Sequence, residues 1–265
     1  MPEGDTVWLA ASRMNTALAG ATLTKGELRV PQLATVDLTG ATVTEVVPRG
    51  KHMLTRFADG RTLRTHYRMD GSWHIYRKGT PWKGGPAHSI RAVLSTTEWD
   101  CVGYRLHDMT IVPTSAESEL VGHLGPDVLG PDWNLEEALR RLRSHPGEQI
   151  GVAILDQRNL AGIGTLYRSE LLFLQGLHPR TPVGRVANLR RVVQRGQQLL
   201  HANRWRTEQS TTGDLRPGRS RYVFERPGQP CRRCGTPVLT EEFGPRGQER
   251  RSYWCPRCQP QPQPG

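Results

Sequence analysis

The sequence predicts an α+β fold: an N-terminal antiparallel β unit headed by one helix, then a helical unit, then a C-terminal four-cysteine β-hairpin. Three observations predict it. Short strand-like runs between residues 41 and 107 are separated by Gly, Pro and Asp turns. The apolar spacing becomes helical from about Pro131. Two C-x-x-C pairs close the chain. With 265 residues and 36% hydrophobic content, the chain can form two domains of ordinary size or one large one.

The elements follow in order. Val7, Ala10, Ala11, Met14 and Leu18 recur at helical spacing behind Pro2 and stop at Gly20, which predicts an amphipathic helix over 4–19. Residues 41–47, 52–57, 62–66, 72–76, 90–95 and 102–107 read as antiparallel strands of a sandwich or barrel. Residues 135–142, 148–155, 166–175 and 186–203 are expected helices, punctuated by Gly162, Gly164, Gly176 and Pro179. A Gly- and Arg-rich connection over 207–230 leads to the hairpin, and the Gln/Pro-rich tail after Cys258 has the composition of a disordered segment. The expected division is 1–125, 131–215 and 222–260.

Charge narrows the function classes. A formal net charge of +11 and a pI near 10.0 point to a polyanionic partner, because clustered cations gain free energy by releasing the counterions condensed on nucleic acid. A run of 18 apolar residues is absent, and the start lacks the basic and apolar regions of a signal peptide, so no membrane partner and no secretion are expected. Only Lys25, Lys51, Lys78 and Lys83 are lysines, a bias that a GC-rich genome also produces.

Cys231-x-x-Cys234 and Cys255-x-x-Cys258, with 20 residues between the pairs, have the spacing of a four-thiolate zinc site. Two disulfides are the alternative, disfavoured in the reducing compartment expected for a chain without a secretory segment. With all four positions filled by protein, one structural Zn2+ would organise the hairpin and do no chemistry. Cys101 is left over as a buried apolar filler.

Met1-Pro2-Glu3 carries the chemistry. Removal of Met1 leaves Pro2 as a free secondary amine, and an α-amino group with a pKa near 8 keeps a neutral fraction able to attack an aldehyde-like carbon and form an iminium. The plainer reading is a helix start, where Pro and Glu are both favoured. Arg49-Gly50-Lys51-His52 reads as a turn that throws Lys51 from a sheet edge, where a solvated charge is the alternative. In the segment 155–170, two glycines separate apolar helices. The second helix therefore starts at a turn whose N–H groups can face a phosphate, unless the turn serves only tight packing.

These residues resemble the formamidopyrimidine-DNA glycosylase and endonuclease VIII family. Pro2-Glu3-Gly4, Arg49-Gly50-Lys51, Asp156-Gln157 through Gly164, Tyr167-Arg168-Ser169-Glu170 and the four cysteines occur in the family's order along nearly the whole chain. Glu3-Gly4 and Tyr253-Trp254-Cys255-Pro256 look like the endonuclease VIII branch. The resemblance implies a β-sandwich headed by a catalytic helix, a helix-two-turn-helix DNA-binding domain and a zinc finger. It implies a bifunctional DNA glycosylase and AP lyase of base excision repair acting on oxidised pyrimidines. Pro2 would be the nucleophile, Glu3 the proton donor, and Lys51 the cation on the phosphate of the flipped nucleotide. His66, Arg68, Met69, Asp70, Gly164, Thr165 and Arg250 would contact DNA. Met69 would fill the space left by the extruded base, with a buried core methionine as the alternative, and Arg246 competes with Arg250 for the phosphate contact. The partner would be damaged DNA, as duplex or as single-stranded or bubble DNA, met by a monomer in the bacterial cytoplasm at the nucleoid.

Three departures from the family pattern stand out. Thr6 replaces a usual carboxylate, Thr165 replaces a phosphate-binding Asn, and the span between the cysteine pairs is longer. Thr165 offers one hydroxyl where an amide has two donors, so weaker phosphate anchoring is expected. A non-catalytic binder of damaged or abasic DNA is the reading from another class, opposed by the presence of Pro2, Glu3 and Lys51. An 8-oxoguanine or formamidopyrimidine-preferring enzyme would share the mechanism and differ in its lesion pocket.

Overall fold

The computed structural model describes residues 2–245, 247 and 249–262, and it forms two compact units, Met1–His123 and Leu124–Gly265. In the first unit, helix α1 (Gly4–Leu18) buries Val7, Ala11, Met14 and Leu18, the stripe expected from the 3.6-residue period. Eight strands follow: β1 (Lys25–Leu28), β2 (Val43–Arg49), β3 (His52–Phe57), β4 (Arg61–His66), β5 (Ser72–Arg77), β6 (Ile90–Ser95), β7 (Trp99–Tyr104) and β8 (Asp108–Pro113). They form two antiparallel four-stranded sheets, ordered β1-β6-β7-β5 and β2-β3-β4-β8. Two separate sheets make a sandwich and exclude the barrel. Its core joins Met14, Leu18, Val46, Met53, Leu63, Trp73 and Leu94, contributed by α1 and by both sheets.

Two strands were absent from the expectation. β1 is only four residues long, below what a pattern of alternation can reveal. β8 was hidden because β7 ends at Tyr104, not at residue 107, and the chain turns at Arg105, a non-glycine residue with φ +51° that gives no turn signal. A short helix α2 (Glu117–Val121) completes the unit.

The second unit contains α3 (Leu135–Arg143), α4 (Ile150–Ala153), α5 (Thr165–Gln175) and α6 (Leu189–Asn203). Asn134 and Asn188 cap α3 and α6 by accepting the N–H of Glu137 and Arg191 at 3.0 and 2.9 Å. The helix expected over 148–155 shrinks to one turn. Its start is held by bonds from the Ile150 and Gly151 N–H to the carbonyls of Thr181 and Pro179, which commit the backbone to a neighbouring segment. Strands β9 (Leu239–Phe243) and β10 (Arg250–Trp254) pair antiparallel as the predicted hairpin. Arg246, in its connection, lies outside the described residues. The tail is ordered further than its composition suggests: buried Gln259 donates to the Leu177 carbonyl at 2.7 Å and accepts the Cys255 N–H at 3.0 Å.

Candidate functional site

At the start of α1, Glu3 occupies the N-cap in extended backbone, and its carbonyl accepts the Val7 N–H at 3.1 Å. Its side chain is fully buried, while Pro2 beside it is half-buried. Asp5 is buried and Thr6 half-buried on the same first turn.

The direction of α1 places that end. The Gly20 N–H bonds the Val43 carbonyl at 2.8 Å, and Asn15 Oδ1 accepts the Val46 N–H at 2.8 Å. Going toward the helix N-terminus therefore means going along β2 toward Arg49, so Pro2 and Glu3 are directed to the end of the sheet where Gly50 and Lys51 turn the chain. Gly50 has φ +58°, which a side chain there would disfavour, and Arg49 pairs with His52 across the two-residue turn. Lys51 is half-buried.

One row crosses the sheet at this end: Arg49 opposite His52, His52 opposite His66, and His66 opposite Asp108. The two imidazoles lie 4.8 Å apart. Burial, with some repulsion from His66, drives His52 down to about 3; burial also drives His66 down to about 4, against a smaller opposite pull from Asp108. Both are neutral at physiological pH. Asp108 stays below the usual carboxylate range because Arg64 and Arg68 outweigh the burial that would raise it. Its oxygens take Arg64 Nη1 at 2.5 Å and Arg68 Nε at 2.8 Å.

The turn after His66 carries three expected contact residues, Arg68, Met69 and Asp70. Arg68 is exposed with φ +52°, and His66 Nδ1 accepts its N–H at 3.1 Å. Met69 is 67% exposed, so it is not the core methionine of the alternative reading. Arg105 donates to the Asp70 carbonyl at 3.2 Å. Gly71 leaves no room for a side chain, since a Cβ there would stand 2.7 Å from the Tyr67 carbonyl and 2.9 Å from Leu106. Sequence reasoning missed Asp108 and Arg105. Neither belongs to a motif: Asp108 is brought to His66 by pairing across strands, and Arg105 lies in the turn after β7.

In the second unit, Gly164 is the N-cap of α5 and Thr165 opens it, 7% exposed. One side chain shapes the preceding loop. Gln157 donates to the carbonyls of Leu155 and Ile163 at 2.7 and 2.9 Å and accepts the Gly162 N–H at 3.0 Å. On α5, buried Glu170 accepts the N–H groups of Tyr222, Val223 and Phe224 at 2.7, 2.7 and 2.8 Å. Buried Arg168 donates to the Arg251 carbonyl at 2.6 Å, which ties α5 to β10. These two charges in the motif thus serve the protein's own chain. Arg250 is exposed at the start of β10.

The sulfurs of Cys231, Cys234, Cys255 and Cys258 lie within 4.8 Å of one another, with Cys234 and Cys255 at 3.4 Å and Cys231 and Cys258 at 3.9 Å. Thiolates around tetrahedral zinc sit about 3.8 Å apart, whereas disulfide sulfurs are bonded at about 2 Å, so the set fits one ion and not two bridges. Backbone N–H groups of Arg233 and Cys258 point at the sulfurs of Cys231 and Cys255 at 3.4 and 3.5 Å. Hydrogen bonds with Thr236 bring Cys234 to about 6 while burial pushes Cys258 to about 12; the charge of an ion is what would hold all four as thiolates. Cys101 is buried elsewhere, its thiol raised to about 12 by burial.

Pro2, Glu3, Lys51, His66, Arg68, Met69 and Asp70 thus belong to the first unit, and Gly164, Thr165, Arg250 and the cysteines to the second.

Comparison with known proteins agrees with this arrangement. Residues 1–110 match the formamidopyrimidine-DNA glycosylase N-terminal domain, 124–207 its H2TH domain, and 228–261 a zinc finger found in FPG and IleRS. The chain is 53% identical to a probable endonuclease 8 2 of Streptomyces coelicolor, covering 100% of this chain and 97% of that one. It is 44% identical to the DNA-(apurinic or apyrimidinic site) lyase Nei2 of Mycolicibacterium smegmatis, covering 98% and 99%. A crystal structure of Lactococcus lactis Fpg with abasic-site DNA shares the fold with a TM-score of 0.80 at 19% identity, over 98% of this chain and 100% of that one. With matches along its whole length, this chain is a member of the formamidopyrimidine-DNA glycosylase family, in the branch that carries endonuclease 8.

Proposed function

We propose that the protein is a bifunctional DNA glycosylase and AP lyase that removes oxidised bases, pyrimidines foremost, and cuts the strand at the resulting site. The observation that carries this reading is the buried Glu3 beside Pro2, at a helix end directed to the Lys51 turn. With Met1 removed, the Pro2 nitrogen lone pair forms a bond to the deoxyribose C1′. The glycosidic bond breaks, its electron pair leaves with the base, and the proton displaced from the Pro2 nitrogen goes to that base. Glu3 gives a proton to the ring oxygen as the C1′–O4′ bond opens, leaving an iminium between Pro2 and C1′. The iminium acidifies the C2′ proton. Its loss expels the 3′ phosphate, a second elimination expels the 5′ phosphate, and hydrolysis returns the amine.

Lys51 would hold the phosphate of the extruded nucleotide, and Met69, with His66, Arg68 and Asp70 around it, would occupy the gap in the stack. Gly164, Thr165 and Arg250 would take further phosphates, which carry affinity without sequence information. Residues 1–125 would form the catalytic part, 131–215 and 222–260 the parts that grip DNA. One zinc on Cys231, Cys234, Cys255 and Cys258 would hold the hairpin in shape.

The test is reduction with borohydride on abasic-site DNA, which fixes an iminium as a covalent adduct. The wild-type chain is expected to be trapped, and Pro2→Gly, which keeps a primary amine in altered geometry, to be trapped far less. Binding of abasic DNA without any adduct would favour the non-catalytic binder.

A further inference from the structure

The turn that carries Met69 is braced on both sides by residues outside the motifs, and the bracing is unusual in its backbone. Arg68 and Arg105 both sit in the left-handed region, with φ of +52° and +51°, which side chains other than Gly and Asn seldom adopt. A strained conformation persists only where its surroundings over-determine it. For Arg68 the surroundings are His66 Nδ1 on its N–H at 3.1 Å and Asp108 Oδ2 on its Nε at 2.8 Å. Asp108 is itself fixed by Arg64, its side chain 19% exposed. On the far side, Arg105 Nε reaches the Asp70 carbonyl at 3.2 Å and its carboxylate at 3.4 Å. The Gly71 N–H closes the turn onto the Tyr67 carbonyl at 2.9 Å. Between these clamps the one large apolar side chain, Met69, faces solvent.

We propose that Asp108 and Arg105 are positioning residues for base extrusion: they hold the Tyr67–Gly71 turn in one conformation so that Met69 enters the DNA stack already ordered. The inference rests on the wedge reading of Met69. A wedge on a mobile turn would have to be ordered during insertion, and a misplacement of about 1 Å costs roughly a hundredfold in rate. Neither Asp108 nor Arg105 need touch the reacting atoms.

The test is single-turnover incision of abasic-site DNA by Asp108→Asn, Arg105→Ala and Met69→Ala, and by each brace variant combined with Met69→Ala. Duplex and single-stranded substrates are compared, and 2-aminopurine beside a tetrahydrofuran site reports insertion in the duplex. Each brace variant is expected to slow duplex incision about tenfold and weaken the fluorescence change, while single-strand incision, which opens no stack, stays within about twofold. In the Met69→Ala background the brace variants should add less than about twofold, because the group they position is gone. Equal losses with and without Met69, or no loss from either brace variant while Met69→Ala is impaired, would overturn the assignment. Met69→Ala indistinguishable from wild type would instead remove the wedge reading and this inference with it. Arg105 is exposed, so its variant keeps the test alive should Asp108→Asn fold poorly.

Discussion

At the scale of single residues, Glu3 and Pro2 separate two steps of the proposed reaction. Base loss needs a proton at the ring oxygen, whereas an abasic aldehyde condenses with the amine without glycosidic cleavage. Glu3→Gln is therefore expected to lower base excision by roughly 10²- to 10⁴-fold and abasic-site incision by much less, measured under single turnover on the two substrates. Equal losses would remove Glu3 from the role of acid. Lys51 and Arg250 are assigned to phosphates. Alanine at either should weaken binding evenly across lesions and flatten the log-log salt dependence by roughly one unit. A changed lesion preference with an untouched slope would instead put Arg250 on a base edge. Pro2 and the cysteines stand out in the sequence by residue type and spacing, and Lys51 by its place in a motif of the family that the chain resembles. Asp108, Arg105 and Gln157 do not, since their partners are brought to them by strand register and loop closure.

At the scale of elements, the His52–His66 pair sets an acid limit for the sandwich. Both folded pKa values, about 3 and about 4, lie below the ordinary 6.5, because burial disfavours the charged ring. The unfolded chain therefore binds more protons below pH 6.5. The stability due to the neutral pair is whole above that pH and falls as the pH drops toward 4, by about 1.4 kcal/mol per pH unit for each ring. Urea unfolding followed from pH 7 to pH 4.5 should show this slope, and replacing both histidines by Asn should reduce it. Another element depends on one carboxylate. Glu170→Ala would strand three N–H groups at 222–224, those of Val223 and Phe224 buried, with an expected cost of about 3–5 kcal/mol and lost exchange protection at those amides. The helices and most strands were legible from periodicity and turn residues. The exceptions have separate causes: β1 is too short to show alternation, β8 begins after a turn made by Arg105 in a conformation that composition does not advertise, and the first N–H groups of α4 are bonded to a neighbouring segment.

At the scale of the whole molecule, the four-cysteine hairpin is stitched into the helical unit. Buried Arg168 is bonded to the Arg251 carbonyl, and Gln259 links Cys255 to Leu177. Chelation, or Cys234→Ser, is expected to weaken DNA binding while residues 1–123 stay folded, with about one zinc per chain in the intact protein. Unchanged affinity in a metal-free preparation would show that the site is dispensable. The stitching has a thermodynamic reach beyond the hairpin. If opening the metal site exposes Arg168, then the ion is a ligand of the folded helical unit as a whole, and mass action fixes that unit's stability to the free ion concentration, by about 1.4 kcal/mol for each tenfold change above the dissociation constant. The melting midpoint of the helical unit would then climb with the logarithm of free zinc while that of the sandwich stayed still, and metal scarcity would lower the amount of competent protein well before it touched the chemistry at Pro2.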